Sequence, residues 1–382
     1  MRRLVALVST VIFVDVMLFT ALTPLVPRYV DDFDLSKTGA GVLVGAFGAG
    51  AIVGGVVGGI ATAKLGPKRA VVTGLLLLGL ASFAFAAAET AEALVAARLL
   101  QGMSSTITWA GALTWLTVRA PADRRGELIG IAFGAAVFGA VLGPLFGGIA
   151  GLVGVRLSFG VVAFVAFACA AVAMLARSTP GQPLSTAGLS RALRDRRFLG
   201  GLWLNALPAF LFGAIVVLGP LALDSGGWST LEIAFVFLAA GLLEAGLGPL
   251  VGRASDRRGR LLPIRIALVA SIGAAIGLAA ATAPLSVALL VVLGFLAFGS
   301  MYTPGMSLTS HRADAAGLAQ GLAFGIMNSS WAVGELTGPT ISGALADAYG
   351  DAAPYLVGAA LCASTLLAAQ HVTAGRASPR EA

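Results

Sequence analysis

Three carboxylates, Asp15, Glu244 and Glu335, stand inside apolar runs of about 20 residues, and so does one arginine, Arg98. An ionised side chain in hydrocarbon costs at least ~2.5 kcal/mol on insertion scales, so such groups face a cavity or a partner, where they can carry protons or ions. Asp15 falls near the middle of its run. A carboxylate at that depth can take a proton or neutralise a cationic amine, and competition for the one site would couple the two fluxes. Glu244 lies deeper than Glu232 and can titrate with Arg98 or pair with a neighbouring helix; Glu232, close to the end of the run, reads as an interfacial charge. Glu335 sits in the crowded sequence Gly334-Glu-Leu-Thr-Gly338, where an ionisable group should avoid lipid. These four, Asp15, Glu335, Glu244 and Arg98, are the proton-coupling candidates. Asp15, Gln101, Trp109, Trp203, Asn205, Tyr302, Asn328 and Trp331 form a candidate pocket for an amphipathic guest, because aromatic faces attract cations and stack on flat molecules. The alternative for each Trp or Asn is plain interhelical packing or hydrogen bonding.

Other chemistries lack their residues. There is no G-x-x-x-x-G-K-[ST] phosphate loop, and no H-E-x-x-H or metal-spaced Cys/His set, so neither a metal nor a cofactor is expected and a proton gradient is the expected driving force. His311 and His371 are the two histidines, at a loop and near the end of the last run, so an intramembrane hydrolase has no base at depth, and no enzymatic activity is expected. Cys169 and Cys362 lie inside apolar runs and read as packing residues.

The elements that must hold these groups follow from composition. Of 382 residues 58% are hydrophobic and only 11% charged, and mean hydropathy is +0.93. A soluble chain carries about a quarter charged residues, so this is an all-α integral membrane protein whose partner is the bilayer. The basic residues, net +7, sit in short loops, which argues for topology and against nucleic acid. Apolar stretches fall at 4–26, 38–62, 70–88, 91–118, 128–153, 157–176, 198–223, 230–252, 262–282, 285–309, 317–346 and 353–371, which is twelve candidate transmembrane helices. Met1-Arg2-Arg3 and the run after it carry no cleavage pattern and read as a retained first helix. The polar segment 177–197 divides the chain into an N-terminal six-helix bundle, 1–176, and a C-terminal one, 198–382. With the N-terminus inside, all of the 25 Lys and Arg except Arg28, Lys37, Arg156 and the intramembrane Arg98 fall on one side, which predicts a multi-pass protein of a plasma membrane with both termini cytoplasmic.

Internal repetition supports two halves. Gly59-Ile-Ala-Thr-Ala-Lys-Leu-Gly66-Pro-Lys68-Arg69 recurs in degenerate form as Gly252-Arg-Ala-Ser-Asp256-Arg257-Arg-Gly259-Arg260. Gly139-Ala-Val-Leu-Gly143-Pro144-Leu-Phe-Gly147-Gly148 is echoed at nearly the same separation by Gly334-Glu-Leu-Thr-Gly338-Pro339-Thr-Ile-Ser-Gly343. These residues resemble the major facilitator superfamily over essentially the whole chain. The resemblance implies two six-helix pseudo-repeats that enclose a central cavity and expose it alternately to each side. The loop motif, whose acid and arginines the resemblance implies form an ion pair that differs between states, is better kept in its second copy; the first has Ala63 where the acid belongs. Arg98-Leu-Leu-Gln101-Gly102 resembles the arginine motif of the family's proton-coupled, drug-exporting branches, and Gly139 to Gly148 resembles its antiporter signature. The first run, from Asp15 through Pro24 to Pro27, is similar to the first helix of vesicular monoamine transporters and their multidrug-exporting relatives. The acid expected early in their eleventh helix is here Asn328, with Glu335 seven residues later. The resemblance implies a monomeric, proton-coupled antiporter exporting hydrophobic or cationic small molecules. A symporter or facilitator for a sugar, amino acid or organic acid, and a membrane sensor that transports nothing, are the alternatives on the same fold.

Overall fold

The computed structural model describes residues 1–121, 124–178, 180, 186–259 and 261–374, with side chains at all of these but 125, 126, 256, 258 and 370–374. The described residues form helices and their connections, without a strand. The first span is broken: α1 (Arg2–Ala21) gives way to a 3-10 turn at Thr23–Leu25, and α2 (Val26–Phe33) completes it. Pro24 and Pro27 cause the break, since neither can donate the backbone bond that a continuous helix needs. Then come α3 (Lys37–Leu65), α4 (Pro67–Ala87), α5 (Ala91–Arg119), α6 (Arg125–Val153) and α7 (Val155–Leu175). A short α8 (Leu189–Arg194) lies in the connecting segment, and α9 starts at Arg196, two residues before the apolar run. The second half comprises α9 (Arg196–Ser225), α10 (Thr230–Arg258), α11 (Leu261–Ala280), α12 (Pro284–Gly299) with α13 (Tyr302–Ala316), α14 (Gln320–Tyr349) and α15 (Ala352–Ala374). The tenth span is therefore two helices separated at Ser300 and Met301.

Local chemistry sets the helix starts. Ser36 caps α3 by accepting from Gly39 N at 3.2 Å, and Thr90 caps α5 by accepting from Ala93 N at 3.2 Å. Ser229 and Glu232 form a reciprocal capping box at α10, so Glu232 is a structural cap. Asp195 caps α9: it accepts from Arg197 N at 2.9 Å and from Arg312 Nε at 2.6 Å. Partial burial disfavours its ionised form, but these donors outweigh burial and hold the carboxyl below its ordinary value.

The repeat is visible in the backbone. The turns α3–α4, α6–α7, α10–α11 and α14–α15 each pivot on one glycine, Gly66, Gly154, Gly259 and Gly350, at φ of 87°, 109°, 78° and 87°. Side chains other than hydrogen are strained there, which explains why two of the four sit in the repeated loop motif.

By length and composition ten spans among the described residues can cross a membrane. The other two long helices, α5 and α14, carry 29 and 30 residues but a heavier polar load. α5 is largely buried, whereas α14 keeps an exposed side that carries Phe324, Val333 and Ile341. α5 packs on α3 and α4, while α14 packs on α3 and α9.

Two helix pairs join the halves, α3 with α14 and α6 with α10. Both pairs touch at one end and part toward the other. At the acidic end of the molecule a methyl group on Gly45 would lie 2.8 Å from the Leu336 carbonyl, and one on Gly148 would lie 2.6 Å from Ala234 Cβ. Farther along, a methyl on Gly55 would meet only Ser329 at 3.9 Å, and nothing lies within 4 Å of one on Gly59, Gly134 or Gly246. The halves are thus closed at the acidic end and splayed at the basic one. Asp347, at the end of α14, reinforces the closed end by accepting from Lys37 N at 3.2 Å, Thr38 N at 2.8 Å and Thr38 Oγ1 at 2.6 Å; Lys37 also pairs with Asp351.

Candidate functional site

The polar residues of α5 recur at 98, 101, 105 and 109, a helical spacing that lines them up on one face. That face meets α1, where Asp15 and Phe19 are one turn apart. Asp15 is buried, and its Oδ2 accepts from Ser105 Oγ at 2.7 Å and Trp109 Nε1 at 2.9 Å. Its Oδ1 has no hydrogen-bond partner among the described residues. One carboxylate oxygen is therefore held in position while the other, also buried, keeps its acceptor capacity unused.

Arg98 lies nearby and is 1% exposed. It donates from Nη1 to Gln101 Oε1 at 3.1 Å and from Nη2 to the Phe19 carbonyl at 3.4 Å. Its guanidinium sits 5.0 Å from the centre of the Phe47 ring, a cation–π contact. Arg98 Nε and Gln101 Nε2 have no partner among the described residues. From the second half, α14 brings buried Glu335 within electrostatic reach of Arg98, with no hydrogen bond between them.

Aromatic rings connect the halves. Phe47 and Phe19 lie 4.8 Å apart, and Phe19 meets Trp331 edge-on at 5.4 Å. The Trp331 indole reaches the Tyr302 hydroxyl, and the Tyr302 ring lies parallel to Phe212 at 6.3 Å. Half-buried Glu244 presses its carboxylate against the backbone of Gly299, just before the break in the tenth span, within electrostatic reach of Tyr302.

The structure thus brings together Asp15, Arg98, Gln101, Trp109, Tyr302, Trp331, Glu335 and, at the edge, Glu244. It does not bring Trp203 or Asn205 to this group. Trp203 is exposed on the outer side of α9 and donates to Thr365 Oγ1 at 2.9 Å, and Asn205 is buried with its amide donating to the Met327 carbonyl at 2.6 Å, which pins α9 to α14. Asn328 is exposed. Ser105, Phe19 and Phe47 were absent from the sequence-based set. Ser105 was findable, since it completes the polar stripe of α5; the two phenylalanines carry no local signal among 20 of their kind.

The repeated glycine sequences are two-faced. Gly139, Gly143 and Gly147 of α6 lie against the α1 span, where a methyl on Gly139 would come 2.5 Å from the Phe13 carbonyl, while Gly148 faces α10 across the halves. In the second half Gly338 lies against Phe210 of α9, and Gly343 faces Lys37 of α3. Pro144 and Pro339 stand inside their helices, and both Gly41 and Gly213 back onto Pro339. In the first loop motif Lys68 donates to the carbonyls of Met174 at 2.6 Å and Ala176 at 2.7 Å, closing the end of α7, whereas Arg69 is exposed and Gly59 meets no neighbour. In the second copy Gly252 approaches Thr303 and Arg257 is exposed; Arg260 and the side chain of Asp256 lie outside the described residues. A recess of about 590 Å³ between α10, α11 and α12 is almost wholly apolar and is not part of the ionisable cluster.

Comparison with known proteins places this geometry. The Major Facilitator Superfamily model matches residues 8–324. The chain is 26% identical over 341 residues to the quinolone resistance protein NorA of Staphylococcus aureus (strain Mu50), covering 87% of each. It is 30% identical over 340 residues to a chloramphenicol resistance protein of Streptomyces lividans, covering 84% of each. Among solved structures, a bacterial homologue of the human lysosomal transporter Spinster, inward-facing and unoccupied, superposes with a TM-score of 0.81 at 16% identity, over 99% of this chain and 98% of that one. The nucleoside transporter NupG (D323A mutant) gives 0.78 at 15% identity, over 96% and 99%. The paired helical halves, the repeated glycine turns and these matches over most of its length agree: the chain belongs to the Major Facilitator Superfamily of membrane transporters.

Proposed function

We propose that this transporter is a proton-coupled antiporter that exports hydrophobic or cationic small molecules, with Asp15 as the shared site for proton and cargo. The observation that carries the proposal is the buried Asp15 carboxylate, fixed through one oxygen by Ser105 and Trp109 and without a partner at the other among the described residues, in a molecule whose Arg98 and Glu335, within electrostatic reach of each other, belong to opposite halves. Two relatives covering most of the chain are a quinolone and a chloramphenicol resistance protein, which supports export of small amphipathic molecules.

In the proposed cycle the conformation open at the basic, cytoplasmic end admits cargo to the rings of Phe19, Trp109, Trp331 and Tyr302, with Asp15 ionised. The halves then rock. Facing the more acidic side, Asp15 takes a proton and cargo leaves; Glu335 and Arg98 change their mutual distance as the halves move, so protonation of Glu335 biases the same equilibrium. Return to the basic side frees the proton. The protein acts in a plasma membrane as a monomer with both termini cytoplasmic, needs no metal or cofactor, and draws on the proton gradient. Purified protein in liposomes with an imposed pH gradient should release protons down that gradient on addition of a lipophilic cation, and Asp15→Asn should abolish the release. If Asp15→Asn and Glu335→Gln both leave gradient-dependent efflux intact, the mechanism is refuted. Proton movement in the same direction as a sugar or amino acid would instead identify a symporter.

A further inference from the structure

The apolar recess between α10, α11 and α12 lies outside the charged cluster and has a direction. On α11 its walls run from Leu262 to Ala274, twelve residues, or about 18 Å at helical rise. A single leaflet of hydrocarbon is about 15 Å deep. The recess therefore has the length of one acyl chain, and its volume of about 590 Å³ is that of a ligand-sized cavity. Its rim residues Leu250, Ile266 and Leu293 are exposed, so it opens sideways to lipid. Gly273 lines it with nothing within 4 Å of where a side chain would stand.

Its inner end reaches the basic surface. On α10 the lining positions Leu247, Leu250, Val251 and Ala254 form a helical stripe, and the next turn of that stripe is Arg257. Arg253, one turn before Arg257, flanks the recess on the lipid side. Both side chains are exposed and neither makes an ion pair among the described residues. A long apolar slot of one-leaflet depth, ending at two exposed guanidiniums, matches a molecule with an acyl chain and an anionic phosphate head.

We infer that this slot is a binding site for one anionic glycerophospholipid of the leaflet on the basic side, its acyl chain between α10, α11 and α12 and its phosphate at Arg253 and Arg257. The site is independent of Asp15 and of the direction of transport. Basic clusters at the membrane surface favour anionic lipid by about fivefold per Arg, so two arginines predict a preference of roughly thirtyfold over a zwitterionic lipid of the same chains.

The test is native mass spectrometry of the full chain in detergent, offered equal amounts of palmitoyl-oleoyl phosphatidylglycerol and phosphatidylcholine. One phosphatidylglycerol should be retained per chain at about that preference. Arg253→Gln with Arg257→Gln, which leaves the packed core untouched, should bring the two lipids to parity. Gly273→Leu, which fills the slot from open space, should lower retention of both while the thermal midpoint without lipid stays at the unmodified value. Equal retention of the two lipids by the unmodified chain would overturn the inference and indicate a slot for neutral apolar guests. Undiminished phosphatidylglycerol retention by a monodisperse Gly273→Leu chain would overturn it too, since the acyl chain would then lie elsewhere.

Discussion

Asp347→Ala should shift the molecule toward opening at its acidic end. In the closed arrangement the Asp347 carboxylate does for α3 what a capping side chain does, but from the opposite half, by accepting from the backbone at Lys37 and Thr38 and from the Thr38 hydroxyl. Loss of a helix cap costs about 0.5–2 kcal/mol. The contact exists only while α3 and α14 meet, so the whole cost falls on the closed arrangement. The partly exposed Lys37–Asp351 pair remains in the variant, and such surface pairs contribute ~0–1 kcal/mol. A loss of about 0.5 to 2 kcal/mol corresponds to an approximately 2- to 30-fold shift in the ratio of the two arrangements. Spin labels at Glu89 and Ser286, on outer turns of opposite halves, read that ratio by pulsed dipolar spectroscopy once Cys169 and Cys362 are replaced by serine. Thr38→Val removes one of the three bonds and should give a smaller shift in the same direction, and the two changes should be less than additive. An unchanged distance distribution in Asp347→Ala would refute the reasoning, because it would mean that glycine packing alone holds this end shut.

Gly139→Val places a branched side chain against the Phe13 carbonyl and should destabilise the α1–α6 contact by about 1–3 kcal/mol, measured as a lowered thermal midpoint in detergent. Trp203→Phe loses only the bond to Thr365 on the outer side of α9 and should leave efflux unchanged, whereas Trp109→Phe removes a donor from Asp15 and should change the pH dependence of transport. The Asp195 carboxyl is held below its ordinary value of 3.8, so the stability it contributes is complete above that pH and is lost as pH falls through its lower folded value. Asp195→Asn should therefore lose stability at neutral pH and converge with the unmodified chain once pH has fallen through the lowered folded value, as followed by thermal unfolding across pH.

The spans were legible because apolar length is a one-dimensional property, and the duplicated glycine sequences carry the symmetry openly. The breaks at Leu22–Leu25 and Ser300–Met301 were not placed. Both have their prolines in plain view, Pro24 and Pro27 at the first and Pro304 at the second, where it cannot donate to the Ser300 carbonyl, but a window of hydropathy averages over them. Within the candidate site, Arg98 and Gln101 were readable as neighbours on one helix. The approach of Glu335 to Arg98 was not, because it joins helices from different halves and depends on their rotation. Rotation also explains Trp203: its type suits a binding pocket, yet α9 turns it outward. Asn328 and Glu335, seven residues apart, share a helix face, but only the deeper of the two is buried.

The uneven polar load of the helices bears on how the chain enters the bilayer. α5 and α14 hold Arg98, Gln101, Glu335 and Asn328, and they are the two long helices that are not apolar enough to cross by composition alone. Each packs on helices made before it: α5 on α3 and α4, α14 on α3 and α9. During synthesis, both emerge when a scaffold able to shelter Arg98, Gln101 and Glu335 is already in place, so these groups need not meet bare lipid. The order of the sequence doubles as an order of assembly, and a circular permutation that made α14 before α3 and α9 would strand its charged face in hydrocarbon.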